Sequence, residues 1–249
     1  MNTAGKIAML SSIAVRDEGD QVLSLGRQHM GRGAARNPQV MTVGYDYDTF
    51  AADLSALLEH LDLHDAVLAG HSMGTGEVTR YLGRYGSGRV AKDVLVSPIP
   101  PFLLQTADNP EGLPASLFDG FIQAATADTP AWKKGFLDNF YNIDVLGGTL
   151  VSDQAFQASW NIAAAASATA AVTCISTWET DFRDDLPKID VPMLVIQGDA
   201  DRILPYPNTG KRLPGLIKDM HLAVVDGGPH AISWTHTDQL NRALLDFLA

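Results

Sequence analysis

A serine stands inside a glycine-bounded pentapeptide, Gly70-His71-Ser72-Met73-Gly74, directly after a short apolar run and directly before a helical pattern. Small residues there permit a sharp strand-to-helix turn, which lifts the Ser72 hydroxyl above the end of a strand as a nucleophile. The N–H of Met73 then lies at a helix N-terminus, facing any negative charge that develops on a substrate oxygen. A serine hydroxyl is a weak nucleophile at neutral pH and needs a histidine base, itself oriented by a carboxylate. Both lie downstream. Gly198-Asp199-Ala200-Asp201-Arg202-Ile203-Leu204-Pro205 follows one apolar run, and Asp226-Gly227-Gly228-Pro229-His230 follows the next. The chemistry available to such a set is acyl transfer through an acyl-serine. Ser72 is the nucleophile, His230 the base and Asp201 the favoured acid, with Asp199 the alternative because an aspartate beside Gly198 also forms turns.

The other histidines lack that company. His71 reads as a packing residue inside the turn, and His60, His64 and His221 as surface or turn residues. His236, in Trp234-Thr235-His236, reads as a helix-start residue in preference to a catalytic one. Arg202 reads as a partner for surface acids rather than a substrate clamp. No convergent His, Asp and Glu spacing suggests a metal site, and the single cysteine, Cys174, can form neither an intrachain disulfide nor a thiolate cluster. Neither a metal nor another cofactor is expected, and a reducing, cytoplasmic setting fits.

These residues must be held by a scaffold, and the apolar pattern describes one. Phe50, Leu54, Leu57, Leu58 and Leu61 recur on one face of a helix, with Asp46 or Asp48 as N-cap. Asp65-Ala-Val-Leu-Ala-Gly, Val94-Leu-Val, Val191-Pro-Met-Leu-Val-Ile and Leu222-Ala-Val-Val are short apolar runs separated by long connections, the pattern of a parallel sheet covered on both faces. Leu240, Leu244, Leu245 and Leu248 form an apolar stripe on a C-terminal helix. Residues 102–190 show helical patterning and no convincing strand, so they are expected to form a helical cap inserted into a core made of 42–101 and 191–249. The Ala-rich stretch from Ala163 to Ala171 is read as packed helix.

Composition excludes several functions. The chain has 249 residues, 46% of them hydrophobic and 19% charged, with a net charge of −11. That apolar content excludes a disordered chain, and the acidic balance disfavours nucleic acid as a partner. No apolar run approaches the roughly 20 residues of a membrane span. Lys6 ahead of the mostly apolar Ile7–Val15 imitates a secretory signal, but Ser11 and Ser12 interrupt the run and no small-x-small site follows, so a strand is preferred.

Serine, acid and histidine in that order, all after strands of a parallel sheet, is the α/β-hydrolase order. The detailed wording is narrower. Thr42-Val-Gly-Tyr-Asp-Tyr-Asp-Thr-Phe-Ala-Ala-Asp-Leu54, Gly70-His-Ser-Met-Gly-Thr-Gly-Glu-Val78, Pro101-Phe-Leu-Leu104, Gly198-Asp-Ala-Asp-Arg-Ile-Leu-Pro205, Gly228-Pro-His230 and Trp234-Thr-His236 resemble the cofactor-free haloperoxidases, also called perhydrolases. The resemblance runs from about Thr42 to the C-terminus. It implies a Ser72, Asp201, His230 triad beneath a four-helix cap, the acid falling on Asp201 because it precedes Arg-x-Leu-Pro. It also implies that a short carboxylic acid or ester acylates the serine, that hydrogen peroxide releases a peracid, and that the peracid oxidises halide; many relatives are also plain esterases. The rival readings are an ordinary carboxylesterase or lactonase, and a binding module that keeps the pocket without turnover.

The departure lies upstream. An α/β-hydrolase sheet normally supplies four strands before the nucleophile strand, and a His-Gly loop after the third gives the second oxyanion donor. No His-Gly dipeptide precedes Ser72, and residues 1–41 are atypical: the first 40 carry five basic against three acidic side chains, the remainder 13 against 26. The N-terminal strands are therefore expected to be missing or altered, with Lys6–Val15 and Gln21–Leu25 able to pair as a hairpin. Apolar surface left beside the nucleophile strand would favour homo-oligomers.

Overall fold

The computed structural model describes residues 13–16, 22–25 and 44–249. Its centre is a six-stranded sheet of β1 (Ile13–Arg16), β2 (Val22–Leu25), β3 (Ala66–His71), β4 (Val90–Val96), β5 (Met193–Gly198) and β6 (Met220–Val225), in the order β2-β1-β3-β4-β5-β6. From β3 to β6 every pairing is parallel, so the four strand ends that lead to Ser72, Ser97, Asp199 and Asp226 share one edge. β1 pairs antiparallel with β2 and also with β3, Val15 lying opposite Leu68. The expected hairpin is thus found between shorter segments. The expectation of missing or altered N-terminal strands otherwise falls outside the described residues, as does the search for a second oxyanion loop upstream of Thr42.

Local sequence explains the helices that flank this edge. α1 (Tyr47–His60) starts where Asp46 accepts the Thr49 N–H at 2.8 Å, and it buries Phe50, Leu54 and Leu58. Leu61 was expected on the same stripe, but it is the C-cap and is exposed. α2 (Met73–Tyr85) begins at the serine turn and packs with α1 against one sheet face, over Leu68, Leu95, Met193 and Val195. The opposite face carries Val94, Val96, Leu194 and Ile196 under the C-terminal helix (Thr237–Leu248). That helix buries Leu240 and Leu244 of the expected stripe and adds Ala243 and Phe247, while Leu245, one residue around the turn, is exposed. β5 is buried throughout, as its unbroken apolar run requires, whereas β6 is the sheet edge and buries only Val225.

Between β4 and β5 the chain forms no strand beyond isolated bridges; its α-helices are α3 (Ala115–Ala127), α4 (Thr129–Tyr141), the one-turn α5 (Ile143–Leu146), α6 (Asp153–Ala164) and α7 (Ala168–Thr177). The Ala-rich stretch is not one helix. α6 ends at Ala164 and Ser167 caps α7 by accepting the Ala170 N–H, so the axis bends by 92°. Alanine favours helix over coil but does not oppose a serine cap. Among the described residues no single helix is long and apolar enough to cross a membrane.

One central position breaks the apolar rule. Asp93, between Leu68 and Met193 in the sheet register, has no exposed surface, and neither of its carboxylate oxygens has a hydrogen-bond partner. Burial raises its pKa from 3.8 to about 8; the neighbouring Val94 N–H offsets part of this without reaching hydrogen-bond geometry. The folded state therefore holds a proton that the unfolded chain releases, and stability falls as pH rises from about 4 to about 8. Asp93→Asn and Asp93→Ala are expected to be more stable than the parent by on the order of 1–3 kcal/mol at pH 8. In denaturant titrations the gap should shrink toward pH 4, and a gap independent of pH would contradict this view of Asp93.

Candidate active site

The turn after β3 places Ser72 in an unusual backbone conformation, φ 54° and ψ −122°, with α2 starting at the next residue. A non-glycine residue at positive φ is strained, so surrounding bonds must fix it. They do. The Ser72 N–H donates to the Val96 carbonyl at 3.0 Å, and the Thr75 hydroxyl donates to the Ser72 carbonyl at 2.5 Å while accepting the Ile99 N–H at 3.0 Å. Gly70 is required because a Cβ there would lie 2.5 Å from the Gly74 carbonyl oxygen. Met73 heads α2, where the first N–H groups have no partner within the helix.

The next two loops are tied to the same edge. The Ser97 N–H donates to Ile196 at 2.8 Å, the Asp199 N–H to Val225 at 3.1 Å and the Ala200 N–H to Gly228 at 3.1 Å. Gly198 and Gly228 touch so closely that a Cβ on Gly198 would collide with the Gly228 carbonyl. Gln197, fully buried, donates to the Leu204 carbonyl at 2.7 Å and shapes the loop between them.

Of the two candidate acids, Asp201 faces His230: its Oδ2 lies 2.8 Å from His230 Nδ1, and neither side chain has exposed surface. Oδ1 of the same carboxylate accepts the N–H groups of Ile203 and Leu204, both at 2.9 Å. Asp199 instead is exposed and accepts the Gly227 N–H at 2.8 Å. On the other side of the imidazole, Nε2 is buried with no hydrogen-bond partner. The structure thus joins Asp201 to His230 and leaves Ser72 unbonded to His230, a looseness common in ligand-free sites.

His71 packs against this pair, its ring 5.0 Å from that of His230 and its Nε2 3.4 Å from the His230 carbonyl. Burial first, then the nearby His230, lower its pKa to about 3, so it is neutral at physiological pH. His60, His64 and His221 are exposed, and His64 pairs with Asp62. His236 lies between the short α8 (Ile232–Thr235) and α9 (Thr237–Leu248), as the helix begins; its Nδ1 contacts the Thr235 hydroxyl and it makes no side-chain cap bond. Arg202 pairs with Asp144 of α5 at 2.7 Å on the surface. Among the described residues no group of three or more His, Cys, Asp or Glu side chains is arranged to hold a metal ion.

A cavity of about 170 Å³ opens beside Ser72 and Met73. Its wall is mostly apolar and comes from the helices between β4 and β5: Trp132, Phe136 and Phe140 from α4, Ile162 from α6, and Trp178 after α7. The same helices clamp the loops after β5 and β6. The Phe140 ring stands edge-on to His230 at 5.0 Å, the Phe140 carbonyl accepts the Ala231 N–H at 3.0 Å, and Asn142 donates to the Ala200 carbonyl at 2.9 Å. Sequence reading did not identify Thr75, Ser97, Gln197, Asn142 or the cavity aromatics. The repeat Trp132, Phe136, Phe140 at steps of four was the legible signal for the last group.

A sharp serine turn, a buried acid–base pair and an apolar cavity at the carboxyl edge of a parallel sheet define a serine-dependent acyl-transfer enzyme. The α/β-hydrolase fold family matches residues 30–237. A Synechocystis sp. protein with the provisional name non-heme chloroperoxidase is 56% identical over 236 residues, which is 95% of this chain and 84% of the relative. A bifunctional esterase/perhydrolase from Acinetobacter calcoaceticus is 35% identical over 88% of this chain and 80% of its own. A solved bromoperoxidase from Bacillus anthracis superposes with a TM-score of 0.79 at 39% identity, covering 83% of this chain and 75% of that one. The chain belongs to the α/β-hydrolase family, among the enzymes of its non-heme haloperoxidase and perhydrolase branch.

Gly70→Ala should force the serine turn apart. It is expected to cost about 1–3 kcal/mol or more, read as a lowered midpoint in thermal or denaturant unfolding. A variant as stable as the parent would show that the close approach of β3 and α2 is not needed.

Proposed function

We propose that this chain forms an acyl-enzyme on Ser72 from a small carboxylic acid or ester and passes the acyl group to hydrogen peroxide or water. The observation that carries the reading is the buried Asp201–His230 pair, with an unpartnered imidazole nitrogen at the edge that bears the serine turn. In this mechanism His230 Nε2 takes the Ser72 proton as the hydroxyl oxygen attacks the acyl carbonyl. Asp201 fixes Nδ1 as the protonated nitrogen and stabilises the imidazolium that forms. The Met73 N–H stabilises the oxyanion of the tetrahedral intermediate. His230 then gives the proton to the leaving oxygen, which departs as the alcohol, or as water when the donor is a protonated carboxylic acid. The helices of residues 102–190 act as the cap that excludes bulk solvent.

With peroxide as second nucleophile, His230 takes its proton as it attacks the acyl carbonyl, the acyl–oxygen bond to Ser72 breaks as His230 returns that proton to Ser72 Oγ, and a peracid leaves. A peracid oxidises halide by two electrons, giving the carboxylate and a hypohalous acid, so halide meets the product and needs no site of its own. Water in place of peroxide gives the parent acid, which is esterase chemistry. The names of the haloperoxidase and perhydrolase relatives support the peroxide branch. Buried Cys174 as the lone cysteine fits a reducing, cytoplasmic setting.

Asp201→Asn keeps the volume of the side chain but removes its charge. It is expected to lower turnover of a phenyl ester, and peroxide-dependent bromination of a halide-trapping dye, by the same factor, on the order of 10³–10⁴. Bromination that survives while ester hydrolysis is lost would contradict a shared acyl-enzyme.

A further inference from the structure

α4 turns Lys133, Leu137 and Tyr141 inward at i, i+4 and i+8, and all three line the cavity that holds Ser72. Leucine and tyrosine suit that face. Lysine does not: Lys133 is 4% exposed, and a buried ammonium is costly unless it is paired. Its Nζ donates at 2.8 Å to the Ala166 carbonyl, another cavity residue, and among the described residues no carboxylate pairs with it. The neighbouring Lys134, by contrast, is exposed and paired with Asp138. An ammonium has three donors, so Lys133 retains hydrogen-bonding capacity at the wall of the acyl cavity. Burial holds its pKa below the ordinary lysine value, the direction expected of a cation without a counter-charge.

What would complete this site is an anion that arrives with the substrate. Lys133 is the only Lys or Arg among the described residues that line the cavity, so a single negative charge suits it better than a phosphate dianion. The rest of the wall is aromatic and aliphatic, which suits a hydrocarbon spacer. Tyr141 does not compete for the ammonium, because its hydroxyl is paired with Ser159 at 2.7 Å.

We propose that Lys133 is a specificity residue for acyl donors that carry a second carboxylate, namely dicarboxylic acids and their half-esters. The reacting carbonyl lies at Ser72, the far carboxylate at the Lys133 ammonium, and the chain between them against Trp132, Phe136 and Trp178. This rests on the acyl-transfer reading given above and adds the substrate class. The pairing removes two uncompensated charges at once, which a neutral or purely aliphatic donor of the same length does not do.

Two measurements test it. First, kcat/KM is compared for mono-phenyl esters of succinic to suberic acid and for neutral phenyl esters of equal chain length, in the parent, Lys133→Met, Lys133→Gln and Lys133→Arg. One half-ester length should stand out in the parent. The charged-to-neutral ratio at that length should fall at least tenfold in the Met and Gln variants and recover in part in Arg. Second, thermal unfolding of Ser72→Ala is followed with glutarate, adipate or butyrate. A dicarboxylate should raise the midpoint more than butyrate does, and the difference should vanish when Lys133→Met is added. Ratios and midpoints that ignore residue 133 would overturn the proposal. Loss of all ester turnover with Lys133-dependent stabilisation intact would instead contradict the acyl-transfer reading and leave the anion site standing.

Discussion

A carboxylate with no exposed surface must find its hydrogen bonds within the protein, and Asp201 finds them in two directions. One oxygen holds the N–H groups of Ile203 and Leu204, and the other holds His230. Loss of any of these bonds would leave a buried charge undersatisfied, at a cost of several kcal/mol. The loop after β5 and the loop after β6 are therefore fixed to each other. Their backbones meet at Gly198 and Gly228, and the Ser97 hydroxyl and His71 hold the His230 carbonyl from the sheet side. The imidazole is left with a single free valence, Nε2, and the position of everything else at the edge follows from where that valence is needed.

The serine reaches the same edge by a different route. Its strained backbone is held by a strand bond to Val96 and by Thr75, which links the turn to Ile99 at the start of the loop after β4. Helices from the long connection close over both halves, and the contacts of Phe140 and Asn142 make the cavity wall and the loops that carry Asp201 and His230 one packed unit. An apolar wall of this kind excludes water and strengthens every charge interaction inside it. That is also why Lys133 carries information: its ammonium has the Ala166 carbonyl as a hydrogen-bond partner but no counter-charge among the described residues.

Much of this was legible in the sequence because it depends on local chemistry. The serine turn, the acidic and histidine loops after the later strands, and the four apolar runs follow from turn residues and periodicity, with Asp46 one of two N-cap candidates for α1, and the observed elements fall within a few residues of those runs. What was not legible depends on tertiary placement. The resemblance favours Asp201 over Asp199, but their spacing alone leaves both open, and the direction of the loop separates the exposed one from the one that meets His230. Leu245 differs from Leu244 by one step around a helix, and Asp93 reads as a break in an apolar run unless its burial is known. The bend at Ser167 was hidden because alanine is compatible with helix on both sides of it. Lys133 carries no motif, and its place at the cavity wall follows only from the direction of α4.

The central claim is that His230, held by Asp201, activates Ser72 in this chain. Treatment of the purified protein with a serine-reactive fluorophosphonate, followed by peptide mass spectrometry, tests it directly. The account predicts an adduct on Ser72 that is lost in His230→Ala while the fold, read by circular dichroism, is retained. A folded parent protein that takes up no label at Ser72, or labelling that persists unchanged without His230, would contradict it.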